Sequence, residues 1–173
     1  MQQIVCPTQL IHPAARVPER SNSCAAGHDI FCVAGLEGIP AKHPFTPEEF
    51  DALVKMEQQG FIVIEPEAGF LFRTGFAQAI QPGYVCLLHD RSGMGAVKQV
   101  GRLAGVIDED YRGEWFVRLI NHSRRPVTIK VGDKIVQGIY QERVEAEFPV
   151  VDTLPESERG QAGFGSSDSK TGS

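Results

Sequence analysis

The chain never stays apolar for long. Phe61 to Ile64, Gly69 to Phe72, Tyr84 to Leu88, Trp115 to Ile120 and Val127 to Val131 are brief apolar runs bounded by glycine, proline, asparagine or aspartate. Such runs are too short for helices and long enough for strands. Val127, Ile129 and Val131 alternate with Thr128 and Lys130, the two-residue period of a half-buried strand. Turns are expected at Pro66 to Gly69, Gln81 to Gly83, Asn121 to Pro126 and Gly132-Asp133. The fold class is therefore all-β. With 173 residues there is material for one core, and the compact form is a jelly-roll-like β-barrel.

One stretch breaks the pattern. Thr46-Pro47-Glu48-Glu49 spells a capping box with proline at the first helical position. Phe50, Leu53 and Val54 supply an apolar face, and Gln58-Gln59-Gly60 a stop. A short helix is thus inserted within about residues 36–60. After Leu154 the chain turns polar and glycine-rich. The barrel domain is expected over 1–154, with 155–173 a mobile arm.

Formal net charge is −5 and no block of lysine and arginine occurs, so a nucleic-acid partner is not expected. Neither a signal peptide nor a membrane span is legible. Cys6, Cys24, Cys32 and Cys86 form no Cys-x-x-Cys pair, which argues against structural zinc and for free thiols in a cytoplasmic protein.

Five clusters carry chemistry. Ala25 to Ile30 puts Asp29 beside a glycine at the start of a strand. Asp90 to Gly95 is a glycine-broken turn, where backbone donors can meet phosphate. Ala104 to Glu114 packs Asp108, Glu109 and Asp110 with Tyr111 and Arg112 between glycines. Gly132 to Gln137 is a turn followed by a strand. Arg159 to Ser167 sets an arginine, a phenylalanine and two serines among glycines. Arginine forks onto phosphate, glycines expose N–H groups and a ring can cover a base.

In this order and spacing the clusters resemble the five motifs of the trimeric dUTP diphosphatase (dUTPase) family. Gly-Val-Ile-Asp-Glu-Asp-Tyr-Arg-Gly resembles its third motif and Arg-Gly-x-x-Gly-Phe-Gly-Ser its fifth. The resemblance implies Mg²⁺-dependent hydrolysis of dUTP to dUMP and pyrophosphate, by water attack on the α-phosphorus, in a homotrimer. It implies that Asp108 is the base and that Tyr111, against the deoxyribose, leaves no room for a 2′-hydroxyl. Asp29 would act on the metal through water. Arg91, Ser92, Gly93, Gly105 and Gln137 would bind substrate. In the arm, Arg159 would reach the terminal phosphates, Phe164 cover the base and Ser166 help seat the γ-phosphate, with Gly165 also binding substrate. Arg91 is assigned to subunit contacts or phosphates, and Asp110 with Arg112 to a pair that stiffens the loop.

Two positions depart from the family. Asp90 stands where proline is usual. The base-pocket hairpin, about Gly95 to Leu103 with Gly101, Arg102 and Leu103 at its end, carries Arg102 where many members have asparagine. An arginine has only donors, and uracil N3–H needs an acceptor. The side chain is expected to turn outward, leaving backbone to read the base. A changed preference, for dCTP or a modified nucleotide, is the alternative. The related dCTP deaminases place a glutamate where Val117-Arg118-Leu119 has arginine, which argues against deamination. The insert reads as decoration on the rim or as a docking surface for a regulatory protein.

Overall fold

The computed structural model describes residues 3–39, 41–158 and 160–161. Ten strands form two four-stranded sheets and a small pair. The first sheet orders β1 (Thr8–Leu10), β4 (Gly69–Gln78), β8 (Glu114–Asn121) and β6 (Val100–Leu103). The second orders β2 (His28–Phe31), β10 (Lys134–Glu142), β5 (Tyr84–His89) and β7 (Val106–Ile107). β3 (Phe61–Ile64) pairs with β9 (Val127–Lys130). Every pairing is antiparallel. The sheets face each other across one core in the jelly-roll-like arrangement expected from sequence, without closing into a continuous barrel. Ile30, Cys86, Leu88 and Val136 from one sheet meet Phe72, Trp115, Val117 and Leu119 from the other. At roughly 25 cal/mol per Å² of apolar surface removed from water, this contact is the main favourable contribution to folding.

Helix α1 (Pro47–Gln59) forms where its local signals put it. Thr46 Oγ1 accepts from Glu49 N, and Glu49 Oε2 accepts from Thr46 N at 3.1 Å. Gly60 closes the other end in the left-handed conformation, at φ 81°. Leu53 and Met56 are its buried residues; Val54 is only half-buried. A five-residue π-helical turn, Gly93–Val97, is a second helical piece.

β4 runs ten residues where the apolar run suggested four. Beyond that run it holds Arg73, Thr74 and Gln78, all buried. Arg73 donates through Nε and Nη2 to the Glu114 carboxylate, and through Nη1 to the carbonyls of Gly35 and Glu37 at 2.8 and 3.1 Å. Glu114 Oε1 also accepts from Gly75 N at 2.8 Å. A register shift between Arg73 and Ala77 makes room for this network.

All four thiols are free. Cys24 is exposed, whereas burial pushes the Cys32 and Cys86 thiols up to about 12. Beyond Arg143 the chain leaves the sheets as an extended segment with Val144, Phe148, Val150 and Leu154 exposed. No helix among the described residues is long and apolar enough to cross a membrane.

Candidate active site

Two groups of side chains, joined by Asp90, make up the candidate site. The first lies where β2 meets β10. Register sets Gln137 opposite Asp29. Asp29 Oδ1 accepts from Arg91 Nε at 2.7 Å, and Oδ2 from Lys134 Nζ at 2.8 Å. Burial alone would raise the Asp29 carboxyl, but the hydrogen bonds and charges of Lys134 and Arg91 outweigh it and hold it below the usual range. Arg91 Nη1 donates to the Lys134 carbonyl at 3.1 Å. The guanidinium is thus committed within the chain through two nitrogens, a use the sequence did not suggest. A side chain at Gly27 would collide with Gln137, so that glycine lets the amide lie down.

The second group is a cleft of about 460 Å³ at the edge where the sheets part. Arg102, Leu103, Gly105, Asp108, Tyr111 and Phe116 are among its lining. The third-motif loop is held from several sides. Tyr111 Oη donates to the Glu114 carbonyl at 2.9 Å, and Tyr111 N to the Asp108 carbonyl at 3.2 Å. Gly113 is required by the ring, because a Cβ there would stand 2.5 Å from Tyr111 Oη. Glu109 accepts from Gly83 N and pairs with Arg143 at 3.5 Å. Asp108 stays exposed at the cleft mouth.

Several expectations need correction. Arg112 does not pair with Asp110: its Nη1 donates to the carbonyls of Glu109 and Tyr111 at 2.6 and 3.0 Å, which stiffens the loop through backbone. The 95–103 stretch is not a hairpin of two mutually paired arms. A π-turn leads into β6, which pairs with β8, while β7 pairs with β5. Arg102 does not turn outward. It lines the cleft, with Nη1 on the Ala104 carbonyl and Nε buried without a partner among the described residues. Gly105, at φ 123°, is adjacent, and a Cβ there would stand 3.0 Å from Arg102 Nη1.

Asp90 explains its own departure from proline. Its Oδ1 accepts from Arg102 N at 2.9 Å, and its carbonyl from Gln137 Nε2 at 3.0 Å. It therefore ties the Asp29 group to the cleft. Ser92 and Gly93 are exposed on the turn that follows, and nothing lies within 4 Å of where a Gly93 Cβ would be. Arg159, Phe164, Gly165 and Ser166 lie outside the described residues. Lys134 was missed: no local signal marks it, because its partner sits 105 positions away.

The dUTPase family model matches residues 50–168. The deoxyuridine 5′-triphosphate nucleotidohydrolase of Helicobacter pylori strain J99 is 34% identical over 160 residues, covering 91% of this chain and 92% of that protein. The chain belongs to the dUTPase family. A dUTPase hydrolyses dUTP, and this chain is a dUTP diphosphatase. Among solved structures, a mutant Staphylococcus bacteriophage 80alpha dUTPase with dUpNHpp shares the fold, with TM-score 0.71 at 24% identity, covering 94% of this chain and 98% of that one. A mutant dUTPase from Staphylococcus aureus phage phi11, described with a structural Mg(II) ion, matches with TM-score 0.64 at 22% identity, over 87% of this chain and 98% of that one.

Proposed function

We propose that the cleft binds the deoxyuridine moiety and that Asp108 at its mouth is the base that deprotonates water for attack on the α-phosphorus. The observation that carries this reading is the gathering of Asp108, Tyr111, Gly105 and Arg102 around one cleft. Tyr111 is pinned by its hydroxyl, so its ring faces the sugar as a fixed wall and excludes a 2′-hydroxyl by bulk. Ser92, the open backbone at Gly93, and Gln137 take phosphate oxygens. Arg91 retains Nη2, without a protein partner among the described residues, for the same purpose. Arg159, Phe164, Gly165 and Ser166 complete the enclosure and exclude water.

Mg²⁺ fits the residues only in one manner. Among the described residues no cluster of three acidic or metal-ligating side chains could cage an ion. Both Asp29 oxygens already accept from cations, so Asp29 would reach a metal through water, and the ion would arrive on the triphosphate. When bound it spreads the charge of the phosphates. The exposed Val144, Phe148, Val150 and Leu154 support a homotrimer, in which neighbouring copies would cover them.

Asp108→Asn keeps the shape and removes the proton acceptor. Pyrophosphate release should fall by roughly 10²–10⁴-fold with dUTP binding retained; near-normal turnover would remove Asp108 from this role. Because Arg102 lines the cleft, a preference for dCTP is the second reading. Assaying wild-type enzyme on both nucleotides decides, and equal or greater activity on dCTP would overturn uracil selectivity.

A further inference from the structure

The 36–60 segment packs beside the cleft. Phe45, just ahead of α1, meets Phe116 edge-on, with ring centroids 5.3 Å apart. Phe116 lines the cleft. Two residues along β8, on the same face, Arg118 donates through Nη2 to Glu49 Oε1 at 2.7 Å. The other Glu49 oxygen caps the helix through Thr46 N. One carboxylate, with its side chain only 12% exposed, therefore joins the first turn of α1 to β8. Across the sheet from Arg118 stands Leu103, also a lining residue. Arg118 thus borders two walls of the cleft without lining it.

We propose that Glu49 is a specificity-determining positioning residue, which holds the Arg118 guanidinium on the helix side of β8 and so keeps a second donor-only group, beyond Arg102, out of the cleft. The inference rests on the base being bound in that cleft. The two bases share the O2 acceptor and differ at N3, where uracil presents a donor N–H and cytosine an acceptor. A released guanidinium opposes the first and suits the second. Since dUTP and dCTP carry the same triphosphate, general attraction of a freed charge for the anion cancels in their ratio.

Glu49→Gln removes the charge that holds Arg118, while glutamine still serves the capping box, so the helix remains folded. Melting temperature and kcat/KM for dUTP and dCTP are measured for wild type, Glu49→Gln, Arg118→Gln and the double variant. Glu49→Gln should lower the dUTP:dCTP ratio about fivefold or more, the lower bound set by an unpaired donor. Arg118→Gln should leave the ratio within about twofold, and the double variant should match it rather than Glu49→Gln. An unchanged ratio in Glu49→Gln, an unrescued double variant, or equal losses on both substrates with a lowered melting temperature each overturn the proposal. Leu103→Trp, at an exposed lip, separates the two levels. If it lowers kcat/KM for dUTP while Glu49→Gln leaves the ratio alone, the cleft reading stands and the inference fails. If Leu103→Trp is silent, the base binds elsewhere and both fail.

Discussion

Arg73→Met tests the buried ion pair that joins three parts of the chain. Both side chains are fully buried, at 0% exposure. The substitution keeps an apolar stem of similar length but leaves the Glu114 carboxylate in the core with Gly75 N as its one remaining partner among the described residues. It also strands the carbonyls of Gly35 and Glu37. Removing one partner of a buried pair costs about 3–5 kcal/mol. For a chain of this size each kcal/mol lowers Tm by roughly 2–4 °C, so a fall on the order of 6–20 °C is expected. Calorimetry at one fixed protein concentration measures it, because assembly would otherwise shift the midpoint. A second variant, Arg73→Met with Glu114→Gln, removes the stranded charge yet keeps an acceptor for Gly75 N. It should recover at least half of the loss. A single variant that loses less than about 1 kcal/mol, or a double variant less stable than the single, would refute the account.

Other expectations follow from the loop, the Asp29 cluster and the tail. Gly113→Ala forces the Tyr111 ring to move, so kcat/KM for dUTP should fall about tenfold or more with Tm nearly unchanged, and relative rates on UTP and dUTP should converge. The folded-state carboxyl of Asp29 lies below its ordinary 3.8, so its stabilisation is full above that pH and lost as the pH falls through the lower folded value. The stability difference between wild type and Asp29→Asn should therefore shrink in acid, as denaturation at pH 7 and at about pH 3 would reveal; a constant difference would discard the ion pairs as its source. Truncation after Glu158 should preserve the melting transition and abolish most turnover, and a fully active truncate would reduce the last motif to a linker.

The sequence disclosed what is local. The capping box and the Gly60 stop sit within one segment, so α1 could be read to its ends. Residues 101–112 lie contiguously, and the structure folds most of them around one cleft. What it hid depends on distant partners. Arg73, Thr74 and Gln78 look like a strand's end, and only Glu114, 41 positions later, makes a buried arginine tolerable there. Likewise, nothing near Asp90 announces that its carboxylate receives the Arg102 N–H. The inward Arg102 is a different case: its partner, the Ala104 carbonyl, lies only two residues on, but which way that carbonyl faces depends on the fold.

The thiols give the protein an internal stopwatch. A reagent added at neutral pH meets exposed Cys24 at once. Cys32, which donates to the Lys130 carbonyl, and Cys86, in mid-strand on β5, react only when their surroundings part. Their labelling rates would time spontaneous openings in native buffer, without denaturant. Because Cys32 follows β2 and Cys86 lies in β5, on opposite sides of β10, unequal rates would reveal one flank peeling away before the other.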